Sequence, residues 1–588
     1  MKKYTADFET TTNEYKTSVW AWGISEIGNP DNFIYGTRIS DFILWCYRQK
    51  SAKLYFHNLK FDAEFIIYYL LSNGYTHIKD RSEKADKTFT TLITSDGLFY
   101  MMEIYFKVRG KSITKVSIYD SLKILNFSVD KIAKSFNLPI RKLEIDYKRH
   151  DALPEGTPLT EEEVSYLRND VEIMSRALDI MFNKGFTKMT IGSDALSFYK
   201  SLNKKFDDFF PVFNKEIDGY LRESYRGGFT YLSPKYKEKE TGKGIVLDVN
   251  SLYPSCMKFE LLPYGEPIFY TGKYKHDKYY PLYIQKITCS FKVKPNKIPT
   301  IQLKNYRFSF LENEYIEDSN GEIFTFTLTS VDLELFLEQY DTPYIVYEYG
   351  YKFKGIKGLF NDYIDLWTKE KINAKKEGNA GMYTISKLFL NSLYGKFGTS
   401  PNSRKKYPYL EEDVVKYGLG ELEERDPVYV PMASFITSYA RRKTILTSQA
   451  IRDYSLKKYG VDKYVYSDTD SVHTLFEVVD LGNGSYKFKD EDNELNDIID
   501  IDDYRLGAWK IESTYIRGKY IRQKCYIELG LNENNEEKLN VVVAGLPKSL
   551  SHKISFDNFN TDLSVGGKLT FKHTKGGVVL VETTFSIK

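Results

Sequence analysis

Residues 465–471 read Val465-Tyr466-Ser467-Asp468-Thr469-Asp470-Ser471. Two aspartates one residue apart, between apolar runs, place both acids at a tight turn joining two strands. Upstream, Gly244–Leu247 is another apolar strand that ends in an acid, in Asp248-Val249-Asn250-Ser251-Leu252-Tyr253-Pro254. Aspartates at strand ends commonly serve as turn residues and caps, so neither stretch decides anything alone. Between them lies Lys387-Leu388-Phe389-Leu390-Asn391-Ser392-Leu393-Tyr394-Gly395. On a helix Lys387, Asn391 and Tyr394 fall within about 60° of one another. A cation, an amide and an aromatic on one stripe suit a nucleoside triphosphate, for phosphate, groove and base respectively. Core packing does not explain a Lys and an Asn there.

A separate set of acids lies near the N-terminus. Asp7-Phe8-Glu9 puts two carboxylates on one face of a strand and turns Phe8 into a core. Asp62 follows the strand Lys53–His57, and Tyr166 shares a helix face with Asp170 at i, i+4. Acids converging on one point repel unless metal ions neutralise them. Two Mg²⁺ ions held by Asp7, Glu9, Asp62 and Asp170 would activate a water and stabilise the leaving 3′ oxygen of a phosphodiester, with Tyr166 orienting that water. Each piece alone reads equally as a solvated strand edge or an ordinary helix pair. Their joint occurrence on these elements carries the chemistry.

The elements around these acids predict a mixed α/β opening: strands Tyr4–Phe8 and Val19–Ile27, strand Lys53–His57, and a helical pattern through Phe61, Phe65, Ile66 and Tyr69. A helix over Thr160–Phe182 opens on a capping box of Thr160 and Glu163. Tyr225-Arg226-Gly227-Gly228 reads as a hinge between regions. Residues 260–357 are strand-rich. Helical signal returns over Leu359–Lys376, breaks at Gly378–Gly381 and resumes over Tyr383–Phe397. Residues 399–430 have the character of a polar β-hairpin that adds little to a core, and Leu569–Ile587 reads as a terminal hairpin around Gly576-Gly577.

Composition is that of an ordinary globular protein of several domains, 588 residues with 42% hydrophobic and 28% charged. A net charge of +3 requires that any nucleic-acid channel be local, and the 16% aromatic share suits stacking as well as packing. Cys46, Cys256, Cys289 and Cys525 form no C-x-x-C pair, which argues against a zinc site or disulfide framework and fits a reducing compartment. No apolar segment follows Met-Lys-Lys to make a signal peptide, and the run near Phe65–Leu71 is too short to span a bilayer. A soluble protein without membrane association is expected.

The N-terminal set resembles the DEDDy 3′→5′ exonucleases, with Tyr rather than His four residues before the last Asp. D-x-x-S-L-Y-P, K-x-x-x-N-S-L-Y-G and Y-x-D-T-D-S, in that order, resemble motifs A, B and C of family B DNA polymerases. Thr437-Ser438-Tyr439-Ala440-Arg441 resembles the T-x-x-A-R motif, Lys524-Cys525-Tyr526 the K-x-Y motif, and Tyr225-Arg226-Gly227-Gly228 the Y-x-G-G segment. The likeness runs almost end to end and is close to protein-primed phage DNA polymerases of the phi-29 type.

That resemblance implies an α/β multi-domain fold: an RNase H-like exonuclease over 1–190, then a right-hand polymerase. Its palm would comprise 191–259 and 431–533, its fingers 358–398 and its thumb 534–588. Two strand-rich insertions would intervene, 260–357 for the terminal protein and 399–430 for strand displacement and processivity. It implies that Asp248 and Asp470 hold two catalytic metals, with Asp468 assisting and the Val249 carbonyl contributing. Mg²⁺ is the implied ion, with Mn²⁺ as a substitute. Lys371 and Lys387 would hold the triphosphate, Tyr253 would lie under the sugar where a 2′-OH clashes, and Tyr394 would stack near the base. Thr437, Arg441, Lys524 and Tyr526 would hold the primer end, and Arg517, Lys519, Arg522 and Lys524 form a basic run suited to phosphates or to a solvated face.

At the exonuclease, Thr10, His57, Asn58, Phe61, Phe65, Ser121 and Leu122 would line the single-stranded 3′ end, and Lys142 would support the carboxylates. The implied partners are template-primer DNA, dNTPs and a terminal protein that serves as primer. The enzyme would act as a monomer or as a heterodimer with that protein, in the cytoplasm of an infected bacterial host. Two departures stand out: the finger turn Lys375–Tyr383 reads as longer than the pattern, which leaves the reach of Lys371 open, and Tyr383 stands where relatives often carry a basic residue. Three other readings compete. A nuclease that merely grips DNA would leave the second acidic set idle, against Lys387 and Asn391. A non-enzymatic scaffold would tolerate loss of Asp7, Asp62, Asp248 or Asp470, and none is lost. An RNA-making polymerase is disfavoured by the bulk of Tyr253.

Overall fold

A computed structural model describes residues 1–302, 315–482, 485–489, 494–532 and 536–587. Parts of the expected spans 260–357, 431–533 and 534–588 therefore lie outside the described residues.

A ten-stranded sheet dominates the N-terminal region. From one edge it runs Val414–Glu424, Asn402–Glu411, Thr88–Thr94, Phe99–Arg109, Ser112–Asp120, Ser51–Phe56, Lys2–Thr10, Val19–Glu26, Asn29–Gly36, with Thr76–His77 beside Thr88–Thr94. Lys2–Thr10 and Ser51–Phe56 pair in parallel, and the flanking meander is antiparallel. The edge strand Asn29–Gly36 had no signal in the sequence because it is half-exposed and carries Pro30, as edge strands tolerate. Phe8 does turn inward, edge-on to Phe42 at 4.9 Å and Phe56 at 5.0 Å.

Helix Glu161–Asn183 packs across Lys2–Thr10 and Val19–Glu26. Its start is fixed as expected, since Glu163 N–H donates to Thr160 Oγ1 (3.2 Å) and Thr160 N–H to Glu163 Oε2 (2.9 Å).

A five-stranded antiparallel sheet, ordered Trp509–Tyr515, Gly244–Val249, Ser471–Thr474, Tyr464–Asp468, Thr230–Leu232, carries the second acidic set. Helix Val430–Tyr459 runs beside it, and Val430–Arg441 is buried on every side. Small residues Ala433, Ser434, Ser438 and Ala440 permit that close packing. Strands Leu262–Thr271, Leu282–Val293, Phe324–Thr329 and Tyr340–Ile356 form a four-stranded sheet, and among the described residues of this region the helix Ser330–Gln339 is one that the strand-rich reading missed.

The helices Asn361–Lys376 and Ala380–Phe397 lie against each other. The long turn expected over Lys375–Tyr383 is absent, because the side chain of Asn379 accepts from Met382 N–H and draws Ala380–Met382 into the second helix. Only Glu377, Gly378 and Asn379 intervene, with Gly378 at φ +68°.

The hairpin Asn402–Glu411 and Val414–Glu424 departs from expectation in its packing. Lys405 and Lys406 pair with Thr94 and Ile93, so the hairpin extends the N-terminal sheet. Val415 is 2% exposed within that region's core. Such burial contributes roughly 1.5–3 kcal/mol. Tyr417 OH donates to the buried Glu64 carboxylate at 2.8 Å. The terminal hairpin, Ser564–Thr574 and Gly577–Ser586, docks on the same region: Thr574 Oγ1 bonds Thr17 Oγ1 (2.7 Å), Lys572 pairs with Glu14, and Lys575 reaches Asp413 (2.8 Å). Gly576 is required at this contact, since a Cβ there would stand 2.1 Å from the Thr17 carbonyl. All four cysteines are buried and unpaired.

Candidate functional site

Two acidic constellations stand on the two sheets. In the first, the alternation of strand Lys2–Thr10 turns Asp7 and Glu9 to the same face, and helix Glu161–Asn183 brings Asp170 beside them. Carboxylate oxygens of Asp7, Glu9 and Asp170 lie within 4.8 Å of one another. Asp62, buried in the first turn of Leu59–Ser72, adds its charge against Asp7.

Burial raises all four carboxyls, and repulsion from neighbouring carboxylates adds to it at three: Asp7 rises to about 7, and Glu9 and Asp62 well above the usual range, while burial alone lifts Asp170 against the pull of Lys142. Lys142 Nζ donates to Asp170 Oδ2 at 2.5 Å and to Tyr166 OH at 3.1 Å. Asp170 Oδ1 is buried without a hydrogen-bond partner among the described residues. Oxygen donors in excess of protons, with one oxygen left unpaired, fit a hard divalent cation. Tyr166 OH also bonds Tyr147 OH at 2.5 Å. Tyr147 is a member that no spacing rule would have picked out.

Around this site the expected strand-lining residues divide. Asn58 is exposed at φ +72° with its N–H on Asp120 Oδ1 (3.0 Å), Leu122 N–H meets the same oxygen at 3.0 Å, and Thr10 and Phe61 stay half-exposed. Phe61 meets Phe571 of the terminal hairpin, ring centroids 5.7 Å apart. Ser121 and Phe65 are corrections. Both are buried, Ser121 holding the Phe56 carbonyl and His57 (each 3.0 Å) and Phe65 packing against Gly577. His57 spends its other nitrogen on the Phe127 carbonyl at 2.6 Å. These three hold the wall rather than present a surface.

In the second constellation Asp248, next to last in its strand, lies beside Ser471, and Val249 N–H donates to the Asp470 carbonyl at 2.8 Å. Thr469 takes the left-handed conformation (φ +57°) with its N–H on the Phe229 carbonyl (2.7 Å), which makes the turn between the two aspartates. Gly228 fits against it: a Cβ would meet Thr469 Oγ1 at 2.5 Å. Burial, then Asp470, push Asp248 to about 7, and burial raises Asp470 as well. Asp468, on the same turn, acts on Asp470 by its charge. Both its oxygens are taken by Lys524.

Lys510 and Glu512, on the neighbouring strand, both act on Asp248 and Asp470 and were missed. Their i, i+2 spacing was visible in the sequence, but nothing there linked that strand to Asp248.

Lys387 and Asn391 are exposed and Tyr394 half-exposed, opposite the buried Phe389, Leu390 and Leu393, as the stripe predicts. Tyr394 stacks on Tyr253 at 4.1 Å. Lys371 Nζ lies 3.4 Å from Ser251 Oγ, and burial, Lys387 and Lys510 lower its pKa.

Thr437 and Arg441 are buried as well. Thr437 Oγ1 donates to carbonyls of its own helix, while Arg441 is buried on Asp332 (2.7 Å) and the carbonyls of Arg226 (2.8 Å) and Gly227 (2.7 Å). The Tyr225–Gly228 segment is thereby tied down rather than left as a loose hinge, with Tyr225 against Gly398. Tyr526 is buried among Tyr466, His473 and Tyr520. In the basic run Arg517 pairs with Glu240 (2.8 Å) and Lys524 with Asp468, which favours the solvated-face reading for both.

The chain is similar to known proteins over its whole length. The profile of the family "DNA polymerase type B, organellar and viral" matches residues 43–155 and 152–477. The DNA polymerase of Bacillus phage Nf is 44% identical, with both chains covered in full. That of Bacillus phage phi29 is 42% identical over 100% of this chain and 99% of its own, and that of Streptococcus phage Cp-1 is 33% identical over 100% and 98%. Phi29 DNA polymerase complexed with primer-template DNA and incoming nucleotide substrates superposes with a TM-score of 0.89 at 41% identity, each chain covered in full. Its orthorhombic crystal form gives 0.90 at 40% identity, with the same coverage.

Proposed function

The chain belongs to the organellar and viral type B DNA polymerases, as a phage polymerase of the phi29 type, and from that membership we propose that it both extends and proofreads DNA at two separate sites. DNA-directed DNA polymerisation follows from the family. The observation that carries the two-site reading is the separation of the acids: Asp7, Glu9 and Asp170 crowd together on one sheet, Asp248 and Asp470 on another, each set with its own lysine.

Synthesis occurs at Asp248 and Asp470, with the Val249 carbonyl contributing. Lys371 and Lys387 take the triphosphate, Asn391 and Tyr394 the base side, and Tyr253 blocks a 2′-hydroxyl. Degradation of the 3′ end occurs at Asp7, Glu9, Asp62 and Asp170. There Tyr166, held by Lys142 and Tyr147, orients the attacking water. Both sites fit Mg²⁺, with Mn²⁺ as a substitute; when bound, such ions neutralise charge on the attacking and leaving oxygens. Asp468 acts through Lys524, and Arg441 through the backbone of Arg226 and Gly227, as positioning residues.

By analogy with the phi29 enzyme, residues 1–190 form the exonuclease, 191–259 and 431–533 the palm, 358–398 the fingers and 534–588 the thumb. Residues 260–357 receive a terminal protein whose hydroxyl primes synthesis, and 399–430 open the downstream duplex. The enzyme works as a monomer or paired with that protein, in the cytoplasm of the infected host. No described helix is long and apolar enough to cross a membrane.

One assay tests the reading: the protein with Mg²⁺ and a primed single strand. Primer growth with dNTPs and shortening without them are expected. Growth without shortening would remove the proofreading half, and neither would remove both.

A further inference from the structure

Lys510 has no part in the chemistry described so far, yet it faces the reacting carboxylates. Asp248 and Lys510 are register partners on adjacent antiparallel strands, so their side chains leave the same face of the sheet. The register is held on both sides by Leu247 with Ile511 and by Val249 with Trp509. Lys510 Nζ lies 3.4 Å from Asp248 Oδ1. The other charges acting there are Asp470 and Glu512, which also act on Asp248, and Lys371, whose ammonium already feels that of Lys510.

A carboxylate that ligates a divalent cation cannot keep an ammonium beside the same oxygens without setting positive charges against each other. Lysine's flexible stem lets the ammonium leave at little cost. A triphosphate taken by Lys371, whose ammonium feels that of Lys510, would offer the displaced lysine a new partner.

We propose that Lys510 is the resident counter-ion of the synthesis site, holding Asp248 while the divalent cation is away and moving to a phosphate oxygen of the incoming nucleotide once the cation takes that carboxylate. The inference rests on the reading of Asp248 and Asp470 as metal ligands. Its consequence is a coupling between metal and nucleotide: the lysine that gives up Asp248 becomes available to the triphosphate in the same event.

The test uses Mn²⁺ alone, titrated by electron paramagnetic resonance into full-length protein carrying Asp7→Ala and Glu9→Ala, so that the signal reports the synthesis site. In that background Lys510→Met should tighten Mn²⁺ about two- to fivefold, the scale of one partly exposed ion pair. It should raise the half-saturating dATP concentration in single-nucleotide extension by a similar factor, whereas Lys510→Arg should stay near the parent in both. A far-UV spectrum matching the parent's establishes folding, and Lys510→Gln repeats the test if Lys510→Met fails it.

Retention of Mn²⁺ by Asp248→Asn would sink the metal-ligand reading itself. If that variant loses Mn²⁺ while Lys510→Met leaves Mn²⁺ affinity unchanged, the counter-ion role alone is overturned. Unchanged dATP half-saturation would overturn the phosphate role.

Discussion

Lys524 Nζ lies 2.9 Å from Oδ1 and 2.8 Å from Oδ2 of Asp468, so a single ammonium takes both oxygens of a carboxylate two residues from Asp470. The two aspartates of one turn therefore differ in kind. Asp470→Asn should cut nucleotide addition by about a thousandfold, as loss of a charge-stabilising ligand does, and Asp468→Asn only by about tenfold. Single-turnover extension rates decide. Equal losses would restore Asp468 to the reacting set.

Asp7→Ala with Glu9→Ala should abolish 3′→5′ degradation and leave extension of a matched primer within about twofold of the parent, since the acids stand on separate sheets. Both rates are measured on one labelled primer. A parallel collapse of extension would mean that the two sites are one system.

Asp7 and Asp248 titrate near 7 when folded, against an ordinary value of 3.8. The folded protein then keeps protons that the unfolded chain has already released. This stability is fully present below about pH 4 and is lost as pH rises through about 7, on the order of a few kcal/mol. Divalent cations bind the deprotonated carboxylates and restore it. The rise in melting temperature on adding Mg²⁺ to chelator-treated protein should thus grow from about pH 5.5 to about pH 8. An increment that stays flat across that range would contradict the shifted carboxyls.

Tyr253→Val should admit ribonucleotides, because it removes the ring stacked on Tyr394 at 4.1 Å. Incorporation of ATP against dATP on one template measures it, with discrimination expected to fall by at least about tenfold. Unchanged discrimination would move the gate elsewhere.

Replacing 402–424 by a short linker should stop synthesis through a downstream duplex and shorten products when competitor DNA is present, with little effect on open template. Because Val415 belongs to the N-terminal core, the deletion should also lower the melting temperature, an effect absent from a loosely attached loop. Gapped and open templates are compared side by side, and undiminished strand displacement would refute the wedge.

Much of this was legible in residue order. Alternation placed Asp7 and Glu9 together and Phe8 opposite, and helical spacing put Lys387, Asn391 and Tyr394 on the open face of their helix. What escaped were relationships set by contacts between distant strands. That Lys510 faces Asp248 depends on a strand register, and that Lys524 occupies Asp468 depends on a hairpin meeting a turn. Thr437 and Arg441 sit in a motif-like stretch, yet burial of the helix on every side over Val430–Arg441 gives them partners within the protein, a fact that local sequence does not encode. Asn379 starts the second helix inside the apparent break, because its side-chain cap outweighs the nearby Gly381.

The pairing of Lys405 and Lys406 with Thr94 and Ile93 also bears on modularity. The hairpin looks in sequence like a cassette inserted between two helices. In space its first strand takes its register from Thr88–Thr94, and its second supplies Val415 and Tyr417 to a core built by residues far earlier in the chain. A hairpin grafted from a relative would thus arrive at a foreign sheet edge. The unit that recombination can exchange is the hairpin together with the edge strand it reads, and substitutions in the two should be inherited as a pair.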